Sequence, residues 1–265
     1  MLYLGDILFM NNCLISIVTI SRNHLQGLST TLDSVKDQDY HQIEHIIIDG
    51  NSADGSKELL DSYAHSKIYT YCSEPDNGIS SALNKGLEKS NGDLIFFLNS
   101  GDVLISSTVI SEVVESYLVH KWKCAVGTTI ATNFEGEPVF YHPPQLSSKF
   151  LKYFMFLPHQ GFFCETSIHK NYQYSESIKT SMDYELFLRM LKNIEIFYLP
   201  IAISNREAGG VSSQDSQRIL EQSQIRLNHA TYLHEKVIIG ILNFLISLKS
   251  NLKISSPFAA KIRSN

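Results

Sequence analysis

Runs of apolar residues alternate along the first hundred positions with segments whose apolar residues return every three or four places. Residues 14–20 (Leu-Ile-Ser-Ile-Val-Thr-Ile) have the length and composition of a buried strand. Leu25, Leu28, Leu32 and Val35 then mark one stripe of a helix, for which Asn23 is the expected N-cap. Strands are expected at 44–48 and 67–72, with a helix over 56–64 between them. A short helix follows in which Ile79, Ala82, Leu83 and Leu87 share a face. Residues 93–98 are too uniformly apolar for a half-exposed strand and suit the middle of a parallel sheet covered on both faces. Strand and helix in strict alternation predict an α/β fold with a Rossmann-like, mostly parallel central sheet flanked by helices.

Beyond residue 102 the pattern loosens. A helix is expected over 106–119, with Val109, Val113 and Leu118 inward, and a strand over 123–132 that makes a hairpin with 139–141 through a turn at 133–136. Pro143 and Pro144 then interrupt. Residues 142–158 carry much apolar surface, and both a core loop and a flap over a second substrate fit them. A strand starts near His159, a helix holds Leu186, Leu188, Met190 and Leu191, and a strand pair is expected near 196–205. Residues 237–248 form an apolar run too short to span a bilayer. Lys249, Lys253, Lys261 and Arg263 follow it, so the tail reads either as an interfacial helix drawn to anionic lipid or as a docking helix with a basic end.

Composition narrows the class. The chain of 265 residues, 43% hydrophobic and 18% charged, is that of a globular protein long enough to bury a large core. A net charge of -5 argues against nucleic acid as a partner. Cys13, Cys72, Cys124 and Cys164 form no CxxC pair and read as reduced, buried thiols. The first twelve residues have no basic start and no unbroken apolar stretch, so no signal peptide is expected, and Met10 is an alternative start.

Chemistry-bearing residues cluster where strands end. Asp49 closes the second strand and opens a turn containing Gly50, Asp54, Gly55 and Ser56. That turn suits either a ribose or base contact or a simple helix cap. Asp76 and Asn77 lie in a turn bracketed by Pro75 and Gly78, where Asp and Asn often bond their own backbone. Asp102 lies just past the carboxyl end of a central strand, the edge at which open α/β sheets bind ligands. Asp183 lies in the first turn of a helix, where the dipole favours a carboxylate.

The runs Glu74-Pro75-Asp76-Asn77-Gly78-Ile79, Ala82-Leu83-Asn84-Lys85-Gly86-Leu87 and Asn91 through Asp102 together resemble the inverting family 2 glycosyltransferases of GT-A fold that build bacterial polysaccharide and O-antigen. The resemblance implies a metal on Asp102, from Mn2+ or Mg2+, although the family's usual Asn-Ser-Asp-Asp is here Asn99-Ser100-Gly101-Asp102. It implies donor-nucleotide contacts at Thr19, Asp49, Asp76, Asn84, Lys85 and Gly101, and a pocket lined by His159, Gln160, Glu185 and Arg206. The helix at 181–190 is similar to the one carrying the family's catalytic base, which makes Asp183 the first choice and Glu185 the second. Residues 209–212, Gly-Gly-Val-Ser, match a segment that closes over the site, bringing Arg206 or Ser212 to the diphosphate.

The implied activity is transfer of a hexose from a nucleotide-sugar, a UDP-sugar above all, to a lipid-diphosphate-linked saccharide at the inner face of the cytoplasmic membrane. The organisation implied is an extension at 1–13, a GT-A domain at 14–213 with its nucleotide-sugar half at 14–102 and acceptor half at 103–213, and a helical tail at 214–265. Gly101 and Ser81 motivate the alternative of a nucleotide-sugar-binding protein without catalysis. A nucleotidyltransferase shares the Rossmann-like half but would carry a basic, Gly-rich amino-terminal loop that this chain lacks.

Overall fold

The computed structural model describes residues 13–63, 69–132, 137–207 and 215–251. The amino-terminal extension with Met10, the turn at 133–136, the Gly-Gly-Val-Ser loop and the basic residues beyond 251 lie outside the described residues.

Strands β1 (Ile15–Ser21), β2 (Ile43–Asp49), β3 (Tyr69–Ser73) and β4 (Leu94–Phe97) form the expected parallel half, in the order β3-β2-β1-β4. Helices α1 (Leu25–Lys36), α2 (Ser56–Tyr63) and α3 (Ile79–Lys89) connect them. The second half is mixed. Strand β5 is Val103–Leu104, and α4 (Val109–His120) leads to β6 (Cys124–Thr132) and β7 (Pro138–Tyr141). Strand β8 (Phe162–Glu165) inserts antiparallel between β4 and β6, and the long β9 (Ile196–Arg206) runs parallel to β6. The nine-stranded sheet thus reads β3-β2-β1-β4-β8-β6-β9-β5, with β7 on β6.

The expected strand pair near 196–205 is this one strand, broken in register opposite Gly127. Pro200 lies in the gap and has no N–H to give the ladder. Alternation along each strand sends apolar side chains to both faces of the sheet. Val18, Ile46 and Ile48 meet Ala82, Leu83 and Leu87 of α3 on one face. Ile15, Ile17, Leu94 and Phe96 meet Val109, Ile110, Val113 and Val114 of α4 on the other. Phe96 stacks on Phe163 of β8 at 4.3 Å, which fixes the inserted strand against β4.

Helix α1 does not take the expected cap. Asn23 has φ 49° and uses its side-chain oxygen on the Ala53 N–H. The carboxylate of Asp54 accepts from the Leu25 N–H instead, at 2.8 Å. Residues 142–158 are anchored at a few points and otherwise open: Leu151 and Leu157 are buried, Tyr184 donates to the Leu151 carbonyl and the Tyr198 hydroxyl to the Leu146 carbonyl at 2.7 Å, while Phe150 and Phe154 stay exposed.

Helix α5 (Thr166–His169) follows β8, and α6 (Met182–Met190) begins at the candidate base. Among the described residues the tail forms two helices, α7 (Asp215–His229) and α8 (Leu233–Asn251). Buried Arg226 of α7 donates to Asn243 of α8 at 2.9 Å, and Glu235 accepts from the backbone of Thr231 and Tyr232 where α8 starts. No helix among the described residues is long and apolar enough to cross a membrane.

Gly86 lets α3 lie directly on β1, because a Cβ there would come within 2.2 Å of Val18 Cγ1. Gly86→Ala should therefore overpack the core between α3 and β1 and lower stability by about 1–3 kcal/mol, read as a drop in the urea midpoint at unchanged slope.

Candidate active site

Parallel register brings the carboxyl ends of β1, β2 and β3 level, pairing Ser21 with Asp49 and Asp49 with Ser73. Asp49 is fully buried and accepts from Ser52 N at 3.0 Å and Ser73 Oγ at 2.6 Å. It thereby holds its loop to the sheet. Asp76 accepts from Gly78 N at 2.9 Å, the self-bonded turn its residue type favours. Its other oxygen lies 2.6 Å from where a Cβ on Gly50 would stand, so Asp49, Gly50 and Asp76 meet at one edge.

Three of the expected donor contacts face elsewhere. Thr19 is buried within the sheet, its hydroxyl donating to the Leu98 carbonyl at 2.7 Å and paired with His45 Nε2 at 2.8 Å. Asn84 clamps the backbone of Tyr174, donating to its carbonyl at 2.9 Å and accepting from its N–H at 2.7 Å. Lys85 pairs with Glu74 at 2.7 Å and donates to the Pro75 carbonyl at 3.2 Å, which braces the turn that presents Asp76.

The turn after β4 carries Asn99, Ser100, Gly101 and Asp102. The Asp102 N–H donates to the Asn99 carbonyl at 2.9 Å, and Thr31 of α1 donates to the Asp102 carbonyl at 2.8 Å. The Asp102 carboxylate is 5% exposed and accepts from the Glu207 N–H at 3.0 Å. Burial pushes its pKa up to about 6, against the pull of His159, the Glu207 N–H and Arg206. The turn offers oxygen ligands of the kind a hard divalent cation takes, in the Asp102 carboxylate and the unpartnered Asn99 Oδ1, with Ser21 Oγ unpartnered at the end of neighbouring β1, although no group of three or more His, Cys, Asp or Glu is gathered for a metal among the described residues. Arg206 lies with its guanidinium 5.3 Å from the centre of the Tyr141 ring.

A second carboxylate arrives from the segment that follows β8. Asp183 opens α6, and its Oδ2 lies 3.5 Å from His159 Nδ1. His159 Nε2 lies 3.2 Å from Asn99 Nδ2. With the amide nitrogen donating, Nε2 accepts and Nδ1 carries its proton toward Asp183. Asn99 and His159 thus join the turn after β4 to the first turn of α6. The Gln160 carbonyl accepts from Ser204 of β9 at 2.6 Å, which holds the short His159 turn on the sheet. The start of α6 is tied by a later helix: Glu221 of α7 accepts from the backbone N–H groups of Lys179, Thr180 and Ser181 at 2.7, 2.8 and 2.9 Å.

The sequence profile of glycosyl transferase family 2 matches residues 16–175, from β1 to beyond α5. The chain belongs to this family. It is 31% identical over 206 residues to the "Uncharacterized glycosyltransferase Rv1514c" of Mycobacterium tuberculosis (strain ATCC 25618 / H37Rv), covering 75% of this chain and 77% of that one. It is 23% identical over 239 residues to WfaP of Escherichia coli, covering 85% and 90%. WfaP is a UDP-Glc:alpha-D-GlcNAc-diphosphoundecaprenol beta-1,3-glucosyltransferase. Among solved structures, Staphylococcus aureus TarS 1–349 in complex with UDP-GlcNAc shares the fold at a TM-score of 0.67 and 16% identity, covering 94% of this chain and 76% of that one. The protein is a family 2 glycosyltransferase of GT-A fold.

Two residues of the glycosyltransferase's site escape sequence reasoning. Glu207 touches Asp102 through its backbone, and His24 lies 3.2 Å from both Ser100 Oγ and Glu207. No spacing rule joins the start of α1 to the end of β9. Glu185, the second choice of base, turns away from the site toward Arg189 at 2.6 Å and His229 at 3.7 Å.

Burial works to raise the Glu185 carboxyl, and the paired cations outweigh it and hold the pKa at about 2. A carboxylate depressed on folding stabilises above its unfolded pKa of about 4.3 and loses that contribution as pH falls toward its folded value. Glu185→Gln should flatten the fall in urea midpoint between about pH 5 and pH 2.

Proposed function

We propose that the enzyme is an inverting hexosyltransferase that moves a hexose from a UDP-sugar to a lipid-diphosphate-linked saccharide in surface polysaccharide or O-antigen synthesis, at the inner face of the cytoplasmic membrane. The observation that carries this reading is the pair of carboxylates with separate surroundings. Asp102 is buried at the edge where the parallel strands end, and Asp183 lies across His159 and Asn99 from it. The UDP-GlcNAc complex of TarS and the diphosphoundecaprenol acceptor in the name of WfaP support the donor and acceptor classes.

An acceptor hydroxyl is a weak nucleophile near neutral pH. Asp183 takes its proton as the oxygen attacks the anomeric carbon of the donor. His159 holds Asp183 in place through its Nδ1 proton, and Glu221 sets the start of the helix that carries it. Asp49 and Asp76 line the edge that receives the nucleoside. Asp102 would hold a divalent cation, Mn2+ or Mg2+, which would supply positive charge against the departing diphosphate. One displacement served by one base inverts the anomeric carbon.

The tail supports the membrane part of the reading. Helix α8 covers Ile239 and leaves Leu233, Val237, Ile238, Ile241, Phe244, Leu245 and Leu248 exposed on its outer side. An apolar face next to a basic terminus binds anionic lipid surfaces. Such a face would keep the enzyme beside an acceptor that never leaves the bilayer.

A thermal-shift screen of UDP, GDP, dTDP and CDP, each with Mn2+ and with EDTA, should single out UDP with metal. With that nucleotide's sugars and an undecaprenyl-diphosphate-linked acceptor, Asp183→Asn should lower kcat by roughly 10²–10⁴-fold while the protein melts as before. Donor binding without turnover on any acceptor would instead establish a nucleotide-sugar-binding protein that has lost catalysis. In a flotation assay the full chain should rise with anionic vesicles and stay down with neutral ones, and the Ile241→Glu, Phe244→Glu variant should stay down with both.

A further inference from the structure

The turn after β4 lacks one of the two carboxylates of the family pattern, with Gly101 in the place of an aspartate. Gly101 has φ +94°, and the space beside it is already filled. A Cβ built on it would come within 2.1 Å of Glu207 Oε2, 2.8 Å of Glu207 Cδ and 2.9 Å of His24 Cε1. The atoms standing where a side chain at 101 would begin are therefore those of another carboxylate.

The sheet explains how Glu207 gets there. Strands β5 and β9 pair Val103 with Asn205, which lays the chain leaving Asp102 beside the chain entering Glu207. The Glu207 N–H then donates to Asp102 Oδ1 at 3.0 Å, and its side chain folds back over Gly101. Gly101 is itself pinned, its N–H shared between the Gly27 carbonyl at 3.1 Å and Thr31 Oγ1 at 3.0 Å. Half of the Glu207 side chain is exposed, so its carboxylate stays reachable from the open edge of the site.

Two carboxylates drawn together in this way repel each other. Beside them stand the imidazole of His24, 3.2 Å from Glu207, and His159 and Arg206, which draw the Asp102 pKa down against burial. Oxygen ligands in a small anionic set are what Mg2+ and Mn2+ select, with diphosphate oxygens and water filling the rest.

We propose that Glu207 is the second carboxylate of the divalent-cation site, supplied from the end of β9 in place of the side chain missing at 101. Asp102 and Glu207 hold the metal together, and His24 orients the Glu207 carboxylate between the metal-motif turn and the start of α1. The enzyme thus keeps a two-carboxylate site with only one acid in its motif. This inference rests on the metal-dependent transferase reading given above.

The test is direct Mn2+ binding, followed by loss of the free-Mn2+ paramagnetic resonance signal as metal is titrated into the full-length enzyme with saturating UDP. Glu207→Gln should weaken Mn2+ binding at least about tenfold, in the range that metal-site partners typically contribute. Its melting temperature in EDTA should match that of the wild type, and Glu112→Gln on the exposed side of α4 should bind Mn2+ like the wild type, which separates a ligand from a change in net charge. Wild-type affinity in Glu207→Gln, beside UDP-dependent Mn2+ uptake by the wild type, would overturn this inference and leave the proposed function standing. UDP binding by the wild type with no Mn2+ uptake would overturn the metal-dependent reading and the inference together.

Discussion

A carboxylate almost cut off from water governs the arrangement of this enzyme. Asp102 stands where three elements converge: the turn after β4 whose carbonyl its N–H meets, helix α1 through Thr31, and the end of β9 through the Glu207 N–H. Burial alone would favour its neutral form, and the hydrogen bond from Glu207 with the nearby positive groups works in the other direction. A charged group in such a place has to be met by partners that were positioned before any ligand arrives. The insertion of β8, the pinned glycine of the turn and the return of β9 all serve that requirement.

Much of this was legible in the chain. The apolar runs at 14–20 and 93–98 and the helical stripe through Ala82, Leu83 and Leu87 are set by local burial, and they appear as β1, β4 and α3. Asp49 and Asp76, picked out from separate motifs, meet at one edge, and Asp183 lies beside the His159 turn. Strand order was a different matter. Nothing local distinguishes 162–165 as an antiparallel insert, because its place depends on Phe163 finding Phe96 across the sheet.

The residues that faced elsewhere share one cause. Thr19, Asn84, Lys85 and Glu185 lie in or beside the resembling motifs, yet their side chains brace backbone or pair with other side chains. Motif spacing reports that a residue is near a site, and it does not separate a group that faces a ligand from one that shapes the loop presenting it. Glu207 is the converse. It lies outside every motif and reaches the site only because β5 and β9 pair.

The three backbone bonds that Glu221 of α7 accepts just before α6 give the tail a second meaning. The same helical hairpin that turns an apolar face outward also fixes the first turn of the helix bearing Asp183. Tail and catalytic helix are therefore energetically linked, and a link of this kind works in both directions. If Asp183 takes the acceptor as proposed, what binds there and what covers the outer face of α8 bias each other through Glu221. Two places far apart on the chain then share one lever.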